Sequence, residues 1–322
     1  MITFITSFKP FEGLFDIIQR NALRSWLKFV KNCDIVVVGE ERGLSDIASE
    51  YGLKVVKEVA RSKFGTPLFS HIIKSGERLA DHEYICFINS DIILLDDFEL
   101  AFKKIKQNFE DFLMLSIRTN LDITESLNFD DQQTVELLKA KALEDKNKRQ
   151  FPTKGAGFDL LVFRKGFIKT IPPFIVGRGN AYIRWMIYYT KVRKKPVIES
   201  SPAITAIHQN HDYKHIKDPK ILSYVSSGVQ TGYLPILGEE YLINSKLLGV
   251  ASYFSGQDVD YLLTYDGIVE HRTMHHLLRR ALKFSLLPPL SKISLPLIKF
   301  LVPTKKTRFS VKRMLMKSGL FY

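Results

Sequence analysis

Short apolar runs alternate with helix-length amphipathic segments over the first hundred residues. Ile2 to Thr6 is a strand-length apolar run that breaks into Ser7-Phe-Lys-Pro-Phe-Glu-Gly13. From Phe15 to Val30 the apolar residues Ile17, Ile18, Ala22, Leu23, Trp26, Leu27 and Val30 fall close to helical spacing, which predicts a helix. Asp34 to Val38 reads as a second strand ending in Gly39-Glu-Glu-Arg-Gly43, and Leu44 to Tyr51 as a short helix with Gly52 suited to its C-terminal cap. Leu53 to Val56 supplies a third strand. Thr66-Pro67 opens a predicted helix to Ala80, with Thr66 as its cap and Pro67 at its first position. Tyr84 to Ile88 is apolar throughout, as a strand covered on both faces should be. Strands alternating with helices predict right-handed crossovers and a largely parallel sheet.

Past Phe98 the alternation loosens. Phe112 to Ile117 is strand-like and runs into Arg118-Thr-Asn-Leu-Asp-Ile-Thr124, and residues 130–150 are polar and helix-prone, as an exposed helix would be. Gly155-Ala-Gly-Phe-Asp159 predicts a turn leading into a strand over Leu160 to Phe163, and Gly155 and Gly157 permit close backbone approach to a ligand. Pro172 to Asn180 reads as a loop and Tyr182 to Tyr189 as a helix. Ile204 begins a strand that ends in the polar cluster His208-Gln-Asn-His-Asp-Tyr213. Neither an internal repeat nor a low-complexity linker is present.

A chain of 322 residues with 45% hydrophobic content suits one large α/β domain with an appendage, or two domains. The two cysteines, Cys33 and Cys86, sit beside apolar runs and read as buried thiols, which fits a reducing cytosol. Met1-Ile-Thr-Phe-Ile-Thr6 lacks the features of a signal peptide, and no uninterrupted apolar run reaches membrane-spanning length. The net charge of +13 changes the picture once it is located. Residues 271–322 hold 12 of the 47 basic residues and none of the 34 acidic ones, so the body is nearly neutral. Leu277 to Leu287, Leu290 to Val302 and Phe309 to Leu320 mix apolar and basic positions as membrane-surface helices do. Nucleic acid is the rival partner for such a tail. Sparse aromatics and the absence of a nucleic-acid module favour an anionic membrane.

Candidate chemistry gathers at strand ends. Asn89-Ser-Asp91 places oxygen ligands at the C-terminal edge of the Tyr84–Ile88 strand, where ligands bind in open α/β sheets. Directly after it runs a second apolar stretch, Ile92 to Leu95, so the polar group is wedged between buried segments. His208, His211 and Asp212 crowd a predicted strand end, and one of the two histidines is expected to meet a metal or a diphosphate. The three histidines of 271–276 fall in the basic tail and read as surface residues.

These pieces, in this order, resemble glycosyltransferases of the nucleotide-diphospho-sugar transferase (GT-A) fold, and within it family-2-like bacterial enzymes. The resemblance covers roughly residues 1–270. It rests on the opening strand with its Ser/Thr/Lys loop and the acidic end of strand two. Phe64-Gly-Thr-Pro67, Ile88-Asn-Ser-Asp-Ile-Ile-Leu94, Asp122-Ile-Thr-Glu125, Phe174-Ile-Val-Gly-Arg-Gly179 and His208–Tyr213 complete it. It implies a Rossmann-like, mostly parallel sheet flanked by helices, with residues 271–322 as a basic amphipathic helical tail. It further implies Mn²⁺ or Mg²⁺ at a DxD-like motif whose first position is Asn89 and whose last, Asp91, is the direct ligand, with His208 supplying a late ligand.

The resemblance places Thr6, Ser7 and Lys9 at the nucleotide, with Glu40, ahead of Glu41, on the base or ribose. Asn89 and Ser90 lie at the donor, Asn89 contacting the ribose or ordering the turn. Thr66, Lys63, Arg118 and the Gly-Arg loop residue Arg178 are candidates for the diphosphate. The family's Gly-Arg loop is commonly followed by Asp-Asn-Trp, whereas Gly177-Arg-Gly-Asn-Ala-Tyr-Ile-Arg-Trp185 carries no carboxylate. A base that takes the acceptor proton then falls to Asp159 or Asp212, or activity is altered.

The expected activity is metal-assisted transfer from a nucleotide-sugar donor to a lipid-linked or surface-polysaccharide acceptor. It would take place on the cytoplasmic face of the membrane, with no nucleic-acid partner. The alternatives are a catalytically impaired nucleotide-sugar-binding module and a sugar nucleotidyltransferase.

Overall fold

The computed structural model describes residues 1–148, 157–177, 181–211, 239–253 and 258–270. The proposed tail, 271–322, and the site candidates Arg178 and Asp212 lie outside the described residues.

A nine-stranded sheet forms the centre. Its strands are β1 (Ile2–Thr6), β2 (Cys33–Val38), β3 (Lys54–Val56), β4 (Tyr84–Ile88), β6 (Leu113–Ile117), β8 (Phe158–Arg164), β9 (Val197–Glu199), β11 (Tyr261–Leu263) and β12 (Ile268–Glu270). They lie in the order β12-β11-β9-β6-β8-β4-β1-β2-β3. β8 is antiparallel to both β4 and β6, and β12 is antiparallel to β11; the remaining pairings are parallel. The expected α/β fold with a mostly parallel sheet is the fold observed. Strand order reverses at β1, which has β2 on one side and β4 on the other, so a ligand crevice is due at the C-terminal ends of β1 and β4.

Helices cover both faces. Alternation along β1 sends Phe4 into one core, where it stacks on Trp26 of α1 (Leu14–Phe29), with ring centroids 5.3 Å apart. Ile5 enters the opposite core with Phe69 and Ile73 of α3 (Phe69–Leu79) and with Phe87. Gly76 lets α3 sit on β1, because a Cβ there would lie 2.6 Å from the Ile5 side chain. The short helix α2 (Leu44–Tyr51) ends on Gly52 in the left-handed conformation at φ 65°, as its sequence predicts. α4 (Asp97–Asn108) and α6 (Ala181–Val192) extend the two layers.

The predicted start of α3 is corrected. The helix begins at Phe69 with Leu68 in the cap position, and Thr66 does not cap it. Residues 61–68 instead form a turn closed by a bridge between Arg61 and Pro67, and Leu68 is bridged to Ile175. The Thr66 carbonyl accepts the Ser62 N–H at 2.8 Å. A contact with a segment over a hundred residues away thus overrides the Thr-Pro start signal.

A second, three-stranded sheet stands beside the first. It orders β5 (Ile92–Leu94), β10 (Ala206–Gln209) and β7 (Thr119–Leu121), with β10 in the middle, antiparallel to β5 and parallel to β7. α5 (Gln132–Lys148) closes it with Val135, Leu138 and Ala142, packed against Ile93, Leu95 and Ile207. α1 holds it from the other side: Trp26 Nε1 donates to the Ile92 carbonyl at 2.8 Å, and Ser25 Oγ accepts the Leu94 N–H at 3.2 Å. Among the described residues, no helix is long and apolar enough to cross a membrane.

Candidate functional site

The chain leaves β1 at Thr6, β2 at Val38, β4 at Ile88 and β6 at Ile117, and enters the antiparallel β8 at Phe158. All five points lie at one edge of the sheet, so Thr6–Lys9, Gly39–Glu41, Asn89–Asp91, Arg118 and Asp159 collect there. The small sheet brings in the remainder. Its register sets His208 against Ile92, and the Gln209 N–H donates to the Asp91 carbonyl at 3.1 Å. His208 therefore lies within strand β10, not after it as its sequence suggests.

At the centre, His211 Nε2 lies 3.2 Å and His208 Nε2 3.6 Å from the same oxygen, Asp91 Oδ2. One ligand atom from each of the three residues falls within 4.8 Å of the other two, a group that could hold a metal ion. The donors are enclosed, with side-chain exposures of 14% for Asp91, 6% for His208 and 5% for His211. Asp91 Oδ1 and His208 Nδ1 are buried with no hydrogen-bond partner among the described residues. Orphaned polar atoms of this kind are rare in a folded protein, and Asp91 Oδ1 belongs to the carboxylate that the two imidazoles approach. Burial alone would raise the Asp91 carboxyl, but the hydrogen bond to His211, with His208 and the Lys9 ammonium close by, holds it well below the usual range. Burial, with Arg118 in support, pushes the His208 ring below its ordinary value against the pull of Asp91 and Asp159. A carboxylate and a neutral imidazole are the forms that ligate metals.

Lys9 closes one side, its Nζ 3.5 Å from His211 Nε2 and 4.3 Å above the Phe15 ring. Its position is fixed through the backbone. Gln19, buried on α1, accepts the Lys9 N–H at 2.7 Å and donates to the Lys9 carbonyl at 3.0 Å. The same Gln19 Oε1 takes the Ser90 hydroxyl at 3.2 Å, tying the β1 loop to the β4 turn. Asn21 donates to Gln209 Oε1 at 3.0 Å and to the Glu125 carbonyl at 2.9 Å, and Gln209 Nε2 donates to the Ile18 carbonyl at 2.7 Å.

A second knot adjoins the first. Asp159 is the second residue of β8 and 9% exposed, not part of a turn. Arg118 Nη1 donates to its Oδ2 at 2.6 Å and Asn89 Nδ2 to its Oδ1 at 2.6 Å. The Asn89 N–H donates to the Asp159 carbonyl at 3.1 Å, and the Asn89 carbonyl accepts the Ile92 N–H at 3.3 Å, so Asn89 orders the turn. The buried Tyr182, stacked on Phe69 at 4.5 Å, has its phenol pushed up by burial and by the Asp159 charge.

Of the remaining candidates, Thr6 is buried with its hydroxyl unpartnered among the described residues, and Ser7 Oγ lies beside Gly39. Glu40 is exposed. Glu41 turns back toward Gly39, accepting the Glu40 N–H at 3.0 Å and Arg61 at 3.1 Å. Thr66 is half-buried and Lys63 is exposed beside Phe64. Gln19 and Asn21 carry no sequence signal, since an amide on an amphipathic helix reads as surface, and Gln209 stands out only as part of the His208–Tyr213 cluster. His211 had one, its three-residue spacing from His208.

No protein-family model and no curated protein matches this sequence. Among solved structures, the chain is similar to residues 1–349 of S. aureus TarS in complex with UDP-GlcNAc. Identity is 13%, coverage is 92% of this chain and 76% of that one, and the TM-score is 0.49. It is also similar to glucosyl-3-phosphoglycerate synthase from Mycobacterium tuberculosis in complex with Mn²⁺, uridine diphosphate and phosphoglyceric acid. There identity is 12%, coverage 73% and 81%, and the TM-score 0.39. These likenesses assign no substrate and no residue role to this chain.

Proposed function

We propose that residues 1–270 form a metal-assisted glycosyltransferase domain that moves a sugar from a nucleotide-diphosphate donor to a lipid-linked or surface-polysaccharide acceptor. The observation that carries this reading is the convergence of Asp91, His208 and His211 at the β1/β4 switch point, beside Lys9 and Arg118. Two cations next to a metal-type centre at that edge suit a diphosphate better than a neutral ligand. A divalent ion bound there would neutralise charge on the departing diphosphate.

In this reading Thr6, Ser7 and the Glu40–Glu41 turn receive the nucleoside. Lys9 and Arg118 face the diphosphate, and Arg178, outside the described residues, is assigned to it from the sequence, as are Thr66 and Lys63. Asn89 and Ser90 position the turn that presents Asp91. A diphosphate that draws Arg118 toward itself releases Asp159 to take the acceptor hydroxyl proton; Asp212 is the alternative base. Residues 271–322 would hold the domain on an anionic, cytoplasmic membrane face.

The test is thermal stabilisation by a panel of nucleotide sugars with and without divalent ions, followed by transfer assays. One donor should raise the melting temperature, and Asp91→Ala should abolish the rise. No stabilisation by any nucleotide sugar under any metal would refute the reading. Binding without turnover across acceptors would identify a binding module instead. Removing 271–322 should abolish sedimentation with anionic vesicles, and persistence of it would sink the membrane assignment.

A further inference from the structure

The centre offers two imidazole nitrogens and one carboxylate, which is not the oxygen-only set that an Asn-Ser-Asp turn presents alone. We infer that it selects a borderline divalent ion, Zn²⁺ or Co²⁺, over Mg²⁺, holding it through Asp91, His208 and His211. The inference rests on the same centre as the proposed function but not on sugar transfer.

One property of the ions and two observations carry it. Mg²⁺ asks for near-octahedral oxygen ligation and keeps several waters, whereas imidazole suits Zn²⁺ and its neighbours. Both histidine side chains are 5–6% exposed, so an ion reaching them must exchange water for nitrogen, which a hard ion resists. The Lys9 ammonium stands 3.5 Å from His211 Nε2 and opposes any second cation. Charge attraction to the single carboxylate is thereby weakened, and the strength of the metal–nitrogen bond decides the ranking. Of the two ions expected from the sequence, Mn²⁺ then ranks above Mg²⁺, and both rank below Co²⁺ and Zn²⁺.

The experiment strips the full chain with a chelator and titrates it calorimetrically with Zn²⁺, Co²⁺, Mn²⁺ and Mg²⁺ separately. The visible absorption of the Co²⁺ form reports nitrogen ligation without any activity measurement. Zn²⁺ and Co²⁺ should bind at least about 100-fold more tightly than Mg²⁺, and His211→Gln or His208→Gln should cut that ratio by about tenfold or more. Mg²⁺ binding as tightly as Zn²⁺ would overturn the inference. So would Zn²⁺ binding that survives both histidine substitutions but is lost when His271, His275 and His276 are replaced by Ala. If a variant misfolds by circular dichroism, the parent decides: a Co²⁺ spectrum like that of the hydrated ion refutes nitrogen ligation. Zn²⁺ binding with no nucleotide-sugar binding would overturn the proposed function and leave the metal ranking standing.

Discussion

Replacing Gln19 by Met tests whether one buried amide sets the geometry of the candidate site. Methionine keeps the length and volume of the side chain, so little cavity is made. Three hydrogen bonds disappear: those with the Lys9 N–H, the Lys9 carbonyl and the Ser90 hydroxyl. At about 1 kcal/mol each, with a further cost for any backbone group left dry, the loss should be about 3 kcal/mol. In a urea titration with m of about 2–3 kcal/mol/M, the midpoint should fall by about 1 M with m unchanged. Gln19→Glu keeps both acceptor contacts and sets a carboxylate oxygen against the Lys9 carbonyl, so it should fall between parent and Gln19→Met. Zn²⁺ affinity should weaken in Gln19→Met, because the Lys9 loop and the Asn89–Asp91 turn lose their common anchor. A midpoint shift under about 0.2 M would refute the reasoning. A full stability loss with unaltered metal affinity would refute its link to the site.

Gly76→Ala should destabilise by about 1–3 kcal/mol despite alanine's better helix propensity, since the added methyl meets Ile5 at 2.6 Å; a chemical melt equal to the parent's would show that α3 shifts freely. Asn89→Asp should not strengthen metal binding, because it replaces the donor to Asp159 Oδ1 with a second carboxylate that cannot ionise alongside it. Its melting temperature should drop more at pH 8 than at pH 5, and an equal drop at both would argue against charge repulsion. Glu199, at the end of β9, is raised to about 7 by burial, against the opposing Ser201 bonds and the Lys146 charge. Its folded form thus binds a proton that the unfolded chain releases near 4.5. That stability is complete below the unfolded value and is lost as pH rises through about 7. Glu199→Gln should flatten the decline between pH 5 and 8, and an unchanged slope in pH-resolved melts would refute it.

Local pattern was enough for β1 and β4, whose bounds in the structure are those of their apolar runs, and for the Gly52 cap. It failed where distant segments decide. The start of α3 yields to the bridge between Leu68 and Ile175. The Ile92–Leu95 run leaves the main sheet because its partner, β10, lies over a hundred residues downstream. Asn89–Asp91 and the His208/His211 pair stand out as candidates by residue type and strand-end position, whereas the preference for His208 comes from the resemblance. The closeness of both rings to Asp91 Oδ2 could not be read there, because β10 pairs His208 with Ile92 across more than a hundred residues and His211 follows just beyond that strand. Asn89, which the resemblance sets at the first position of a DxD-like motif, gives its side-chain amide to Asp159 Oδ1.

The small sheet also times the appearance of the site during synthesis. Asp91 and His211 are separated by 120 positions, and the Gln209 clamp on α1 by 191. A nascent chain that has emerged as far as β9 holds β1–β4, β6 and β8 of the central sheet, yet of the three converging donors only Asp91. Closing a loop of that length costs entropy that only β10's pairing returns. Metal or donor binding would therefore report that the late strand has docked, and a chaperone-held or truncated chain would present a sheet without a centre.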